Sequence, residues 1–153
     1  MATPEAKLDE LGIVLPAPPR PLASYVTVVR SGTLLFTSGH GPTAADGSMI
    51  TGKVGLDLDI AQGAAAARLT TVNLLATLRH ELGSLDAITR IVKVLGMVNC
   101  PPDFTQHPTV LNGCSDLLVE IFGDKGRHAR SAVGVGSLPL NIAVEIELVV
   151  ETV

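Results

Sequence analysis

The sequence predicts an α+β domain in which two helices pack on one face of a mixed β-sheet. Three observations carry that prediction. The segments run strand pair, helix, strand, helix, strand pair, an order that interleaves helices with strands. The longer helical pattern opens with small side chains from Ala61 to Ala67, which allow close packing on a sheet. The β-like runs are short, rich in Val, Leu and Ile, and bounded by Gly, Pro and Asp.

At the start, Thr3 precedes Pro4 and Glu5, and Leu8, Leu11 and Ile13 supply an apolar trio, which suits a short amphipathic helix over Thr3 to Gly12. Pro16, Pro18, Pro19 and Pro21 then fit neither a helix interior nor a central strand, so an extended connector follows. Tyr25 to Val29 and Thr33 to Thr37 read as a hairpin turning at Arg30-Ser31-Gly32. Gly39-His40-Gly41-Pro42 closes the second strand, and Ala45-Asp46-Gly47-Ser48 turns into a short strand at Met49 to Thr51.

Asp57 or Asp59 caps a helix that runs to about Leu82, with Ile60, Ala64, Ala67, Leu75, Leu78 and Leu82 near one face and Gly83 as its stop. Ile88 to Val98 suits a buried strand, ended by Pro101-Pro102-Asp103. A second helix spans about Pro108 to Phe122, with Pro in its first turn and Gly123 near its end. Two strands, Ala129 to Val135 and Ile142 to Val150, finish the chain.

With 153 residues the chain suits one domain. It is 46% apolar and only 17% charged, more aliphatic side chain than a lone globule of this size needs to bury, so part of the surplus is expected at a subunit interface. No apolar run approaches the roughly 18 residues that cross a bilayer, and Met1 to Glu10 is polar, so a soluble, unexported, cytoplasmic protein is expected. Cys100 and Cys114 are then expected to stay reduced. A net charge of -4 with no basic run offers little counterion-release energy, which argues against nucleic acid as a partner. The scarcity of aromatic residues argues against a base-stacking platform.

The chemistry concentrates in the last quarter of the chain, in His128-Ala129-Arg130-Ser131-Ala132-Val133 and Val144-Glu145-Ile146-Glu147. Alternation puts Arg130 and Ala132 on one face of their strand, and Glu145 and Glu147 on one face of theirs. If the two strands pair, the guanidinium and a carboxylate converge. A guanidinium fork suits a substrate carboxylate, and a neighbouring carboxylate can position or deprotonate a water. Spacing alone favours a plain interstrand salt bridge over such a clamp.

Ala129-Arg130-Ser131, the Val-rich strand, Leu138-Pro139 and Val144-Glu145-Ile146-Glu147 resemble the C-terminal signature of the RidA/YjgF/UK114 family. Tyr25, Thr37-Ser38-Gly39 and Asn112 also fall where that family places its site residues. The resemblance covers Ala23 to Val153 and sets residues 1–22 apart as an N-terminal helix and Pro-rich connector. It implies a chorismate-mutase-like fold assembled as a homotrimer with clefts between subunits. It further implies hydrolysis of reactive enamines and imines such as 2-aminoacrylate to a 2-oxo acid and ammonia, with no metal or organic cofactor. Arg130 would bind the substrate carboxylate, Glu145 would position water, Ser38 and Gly39 would line the pocket, and Tyr25 would close it, from an adjacent subunit. Where the best-known deaminases carry Cys, this chain has Ala132, which keeps the backbone carbonyl. The His40-Gly41 loop is a second departure.

His40 reads as a solvated loop imidazole, with acid-base work near neutral pH as the sharper alternative. His128 reads as structural, its cation disfavoured by Arg127 and Arg130. His80, His107 and the cysteines lack metal-ligand spacing, and Cys114 reads as a packed thiol. Beside the deaminase stand a non-catalytic module that binds a small carboxylate-bearing metabolite and, further off, an endoribonuclease.

Overall fold

The computed structural model describes residues 1–153. Helix α1 (Pro4–Leu11) is capped by the Thr3 side chain and closed by Gly12 in the left-handed conformation. Leu8 docks it in the core, and Glu5 ties it to the next helix and the turn that follows through Arg79 and Leu85 N–H. Strands β1 (Val28–Ser31) and β2 (Leu34–Thr37) form the expected hairpin with a tighter turn than Arg30-Ser31-Gly32. Gly32 at φ +63° supplies the left-handed residue for a two-residue link, so Ser31 pairs with Leu34 and pairing runs up to the turn. Met49 to Thr51 makes only isolated bridges to Thr43 and Ile142 and is not a strand.

Helix α2 (Ile60–Leu82) begins at Asp59, whose carboxylate accepts from Gln62 N–H while the Gln62 side chain accepts from Asp59 N–H. Asp57 caps nothing on α2; it accepts from Lys53 N–H. Strand β3 (Ile88–Asn99) leads to helix α3 (His107–Phe122), then to β4 (Ala129–Val135) and β5 (Val144–Thr152). The sheet order is β1-β2-β5-β3-β4. β3 runs antiparallel to β5 and parallel to β4, as the α3 crossover requires.

α2 and α3 cover one face of this mixed sheet. Along β5, Val144, Ile146, Leu148 and Val150 are buried beneath them, while Glu145, Glu147 and Val149 point the other way. Leu74, Leu75, Leu78, Leu111 and Leu118 complete the core, each contributing on the order of 2 kcal/mol by leaving water. The buried stripe of α2 is wider than its leucines: Ala66, Ala67, Thr70, Thr71, Asn73 and Thr77 are buried too, whereas Ala64 and Leu82 are only partly so. The small residues also serve a helix-helix contact. A Cβ on Gly113 would stand 2.1 Å from the Ala64 carbonyl oxygen, so α2 and α3 meet backbone to backbone.

The opposite face has no helix. Val29 and Phe36 pair across the hairpin there, and Val133 lies beyond Met97 on β4. Phe36 and Val133 are each 43% exposed. No helix of the chain is long and apolar enough to cross a membrane.

Candidate functional site

The loop after β2 is held against β5 by reciprocal backbone bonds: His40 N–H donates to Ile146 C=O at 2.9 Å and Ile146 N–H to His40 C=O at 3.0 Å. That pairing sets Gly39 over Glu145. A Cβ on Gly39 would stand 2.8 Å from Glu145 Cδ, so only glycine leaves the carboxylate where it lies. Glu145 is half-buried, and burial first, the like charge of Glu147 second, pushes its carboxyl above the ordinary value. The group is a better base than an exposed carboxylate, and Gly39 stands between it and a cavity that its own side chain does not line.

That cavity, about 260 Å³, is lined by Tyr25, Ser38, Gly39, His40, Gly41 and Asn73 and roofed by the Pro16 to Arg20 connector. Tyr25 is 51% exposed at its mouth. Ser38 Oγ donates to Val26 C=O at 2.6 Å, locking the floor to the segment before β1. Asn73 Nδ2 donates to Gly41 C=O and Thr43 C=O at 3.0 and 2.9 Å, fixing the far side.

His40 is not a solvated loop residue. It is 5% exposed, and both ring nitrogens are engaged. Ser38 C=O can only accept, so Nδ1 carries the proton and donates to it at 2.8 Å; Nε2 then accepts from Thr77 Oγ1 at 2.8 Å. Burial lowers its pKa, against the opposing bond to Ser38. A neutral, doubly bonded imidazole braces the loop and has no proton site free for chemistry.

The second group is built on α3 and β4. Arg130 Nη1 donates to Asn112 Oδ1 at 2.9 Å and to Ser115 Oγ at 3.1 Å. Ser115 Oγ in turn donates to His128 Nε2 at 2.8 Å, because His128 Nδ1 gives its proton to Gly126 C=O. Burial lowers the pKa of His128 most, with the Arg130 charge adding to it. Neutral His128 thus braces Ser115, and Ser115 braces the guanidinium. Ala132 lies two residues along the same face, paired with Gly96 and half-buried.

β4 and β5 do not pair, so the expected convergence of Arg130 and Glu145 across neighbouring strands does not occur. β3 lies between them, with Arg130 opposite Val94 and Glu145 opposite Met97. Val94 is buried under the helices and Met97 is on the open face, so the two side chains project from opposite faces of the sheet. The reason is connectivity: β4 follows the α3 crossover and joins the β3 edge in parallel, leaving β5 to fill the gap between β2 and β3. The candidate residues therefore form two clusters, Tyr25, Ser38, Gly39, His40 and Glu145 in one, Asn112, Arg130 and Ala132 in the other.

Sequence reasoning missed Thr77, Asn73 and Ser115, which hold these clusters in place. Thr77 and Asn73 stand one helical turn apart in a buried stripe, and that interruption of an apolar pattern was the available signal. It also missed that Cys100 Sγ lies 3.5 Å from His107 Nε2. Burial raises the Cys100 thiol, and Cys114, buried beside Thr71, is pushed up to about 11 despite the Arg130 charge.

The model of the family described as "YjgF/chorismate_mutase-like, putative endoribonuclease" matches residues 5–152. Protein TCP17 of Trypanosoma cruzi is 44% identical over 95% of this chain and 92% of its own. The crystal structure of Atu1372 from Agrobacterium tumefaciens, a protein of unknown function, is 42% identical with a TM-score of 0.90, covering 99% of this chain and 94% of that one. A Shewanella oneidensis protein, described like the family as an endoribonuclease by supposition, is 36% identical with a TM-score of 0.94, covering 98% and 99%. The mixed sheet with its helices on one face and a match across nearly the whole chain lead to one conclusion: this protein belongs to the YjgF/RidA family.

Proposed function

We propose that the protein is a homotrimeric hydrolase of small reactive enamines and imines of the 2-aminoacrylate kind, releasing a 2-oxo acid and ammonia. Each cleft joins the Arg130 cluster of one subunit to the Gly39–Glu145 cluster of another. The observation that carries this reading is that Arg130, held by Asn112 and Ser115, and Glu145, packed under Gly39, face away from one another within a chain. The helix-free face of the sheet, where Val29, Phe36 and Val133 are exposed alongside Glu145 and Glu147, supplies the contact that brings subunits together.

In such a cleft the Arg130 fork holds the substrate carboxylate by two parallel hydrogen bonds. Glu145 takes a proton from water as its oxygen adds to the imine carbon, and the nitrogen, already protonated, becomes an amine. Glu145 returns that proton to the nitrogen, and ammonia leaves as the carbonyl forms and the hydroxyl proton passes back to the Glu145 carboxylate and on to solvent. An iminium carbon is electrophilic from the outset, so orientation and one positioned water suffice. A cytoplasmic location, where both free thiols stay reduced, fits this role.

The test supplies a 2-aminoacrylate generator and follows pyruvate and ammonia. Wild type accelerates both and Arg130→Ala does not; equal rates for wild type, variant and buffer refute the proposal. Stabilisation by a 2-oxo acid without turnover would make the protein a metabolite-binding module instead. RNA cleavage that survives Arg130→Ala after stringent purification would make it a nuclease, which the net charge of -4 disfavours.

A further inference from the structure

The cavity beside Gly39 contains one cation that the proposed reaction leaves unused. Arg20 lines it together with Tyr25, Ser38 and Gly41, and no carboxylate side chain lines it. Arg20 enters none of the ion pairs, which join Lys7 to Glu10, Arg79 to Glu5 and Arg127 to Asp124. Glu81 shares a neighbouring hollow with Arg20 without pairing to it. The charge on Arg20 is therefore available to a ligand.

Its backbone is also constrained. Arg20 stands between Pro19 and Pro21 in a connector whose prolines at 16, 18, 19 and 21 fix φ along the segment. A residue that precedes proline is confined to extended conformations, so little backbone freedom remains to be lost when its side chain engages an anion. Arg20 lines a cavity whose other polar side chains, Tyr25, Thr27, Ser38, His40, Thr43 and Asn73, include no acid.

We infer that Arg20 is a specificity-determining residue that binds a second anionic group, so that the ligands of this site are small dicarboxylates, 2-imino or 2-oxo acids with an acidic side chain. This rests on the cleft proposed above: Arg130 of a neighbouring subunit takes the carboxylate beside the reacting carbon, and Arg20 takes the distal one. A ligand with one carboxylate leaves Arg20 idle; a dianion engages both forks.

The experiment compares 2-oxoglutarate with 2-oxopentanoate, which has the same carbon chain with a methyl in place of the distal carboxylate, by calorimetric titration of the full-length protein. Wild type binds 2-oxoglutarate about tenfold or more tightly than 2-oxopentanoate, as expected for a charge-assisted bidentate contact. Arg20→Gln collapses that ratio to near unity, while Arg68→Gln, an exposed arginine on α2 outside the cavity, retains it. A wild-type ratio near unity, a ratio that survives Arg20→Gln, binding of neither acid, or a variant that only lowers Tm, as loss of a contact to Glu81 would, overturns the inference. Turnover is scored apart: a preference that depends on Arg20 without hydrolysis of any imine removes the deaminase and leaves the dicarboxylate site standing.

Discussion

Gly39 touches the carboxylate of Glu145 so closely that its missing β-carbon is part of the site. The backbone there has an ordinary negative φ, so alanine meets no conformational objection, and the only obstacle is the Glu145 side chain. Gly39→Ala must therefore displace the carboxylate and little else. Because Glu145 is half-buried and can swing toward solvent, stability should change by no more than about 1 kcal/mol. If Glu145 is the base proposed above, turnover should fall about tenfold or more, since the displaced carboxylate no longer meets its water. Thermal melts and kcat/KM on the same preparations check both, and a variant with unchanged kcat/KM would remove Glu145 from the mechanism.

The chain Arg130–Ser115–His128 predicts a titration. Removing the guanidinium in Arg130→Gln takes away the smaller of the two causes that depress His128, so its pKa should rise while remaining below 6.5, because burial persists. His40, on the other cluster, should not move. Both histidines bind protons less readily in the native state than when unfolded, so native stability declines as pH falls from 6.5 toward their lowered values. In Arg130→Gln that decline should be shallower. Two-dimensional NMR of the imidazoles reads the first effect and denaturant titrations across the pH range the second; an unmoved His128 would break the link to Arg130.

Much of the fold was legible because its signals are local. Asp59, Gln62 and Gly83 mark α2, Pro108 and Gly123 bracket α3, and Gly32 marks the hairpin turn, each within a few residues of what it controls. Strand order was not legible. Whether β4 meets β5 or β3 depends on where α3 carries the chain, and pairing the expected strands Ala129 to Val135 and Ile142 to Val150 would have brought Arg130 and Glu145 together, whereas β3 separates them. The burial of His40 was hidden for a similar reason, since its partner Thr77 lies 37 residues away. The two arginine neighbours of greatest interest differ in kind: Asn112 entered through family resemblance, whereas Ser115 emerged only from the geometry of α3.

Glu147 sits on the same face of β5 as Glu145 and adds to the burial that raises its carboxyl. An acid whose native pKa exceeds its unfolded one holds its proton longer in the folded chain. The native state therefore loses relative stability as pH rises from the ordinary carboxyl value to the raised one. Glu147→Gln removes the like charge, so Glu145 should ionise at lower pH and the chain should gain stability near neutrality. If Glu145 is the base, the acid limb of the kcat/KM profile shifts to lower pH in the same variant. A limb that stays in place while stability rises would assign the base to another group.

The opposed placement of Arg130 and Glu145 allows a test that no single-chain site can pass. Arg130→Ala subunits keep an intact Gly39–Glu145 cluster, and Glu145→Gln subunits keep an intact Arg130 cluster; each homotrimer alone should be inactive. Mixed trimers, made by co-expression with two affinity tags, place the sound halves of different chains in one cleft. With random equal mixing and cyclic symmetry, about a quarter of clefts combine both sound halves, so about a quarter of wild-type activity should return. Phe36→Asp, which puts a charge on the helix-free face of the sheet, should abolish trimers on light scattering. Inactive mixed trimers would mean that Arg130 and Glu145 serve the same chain after all, which the intervening β3 strand does not permit without rearrangement of the sheet.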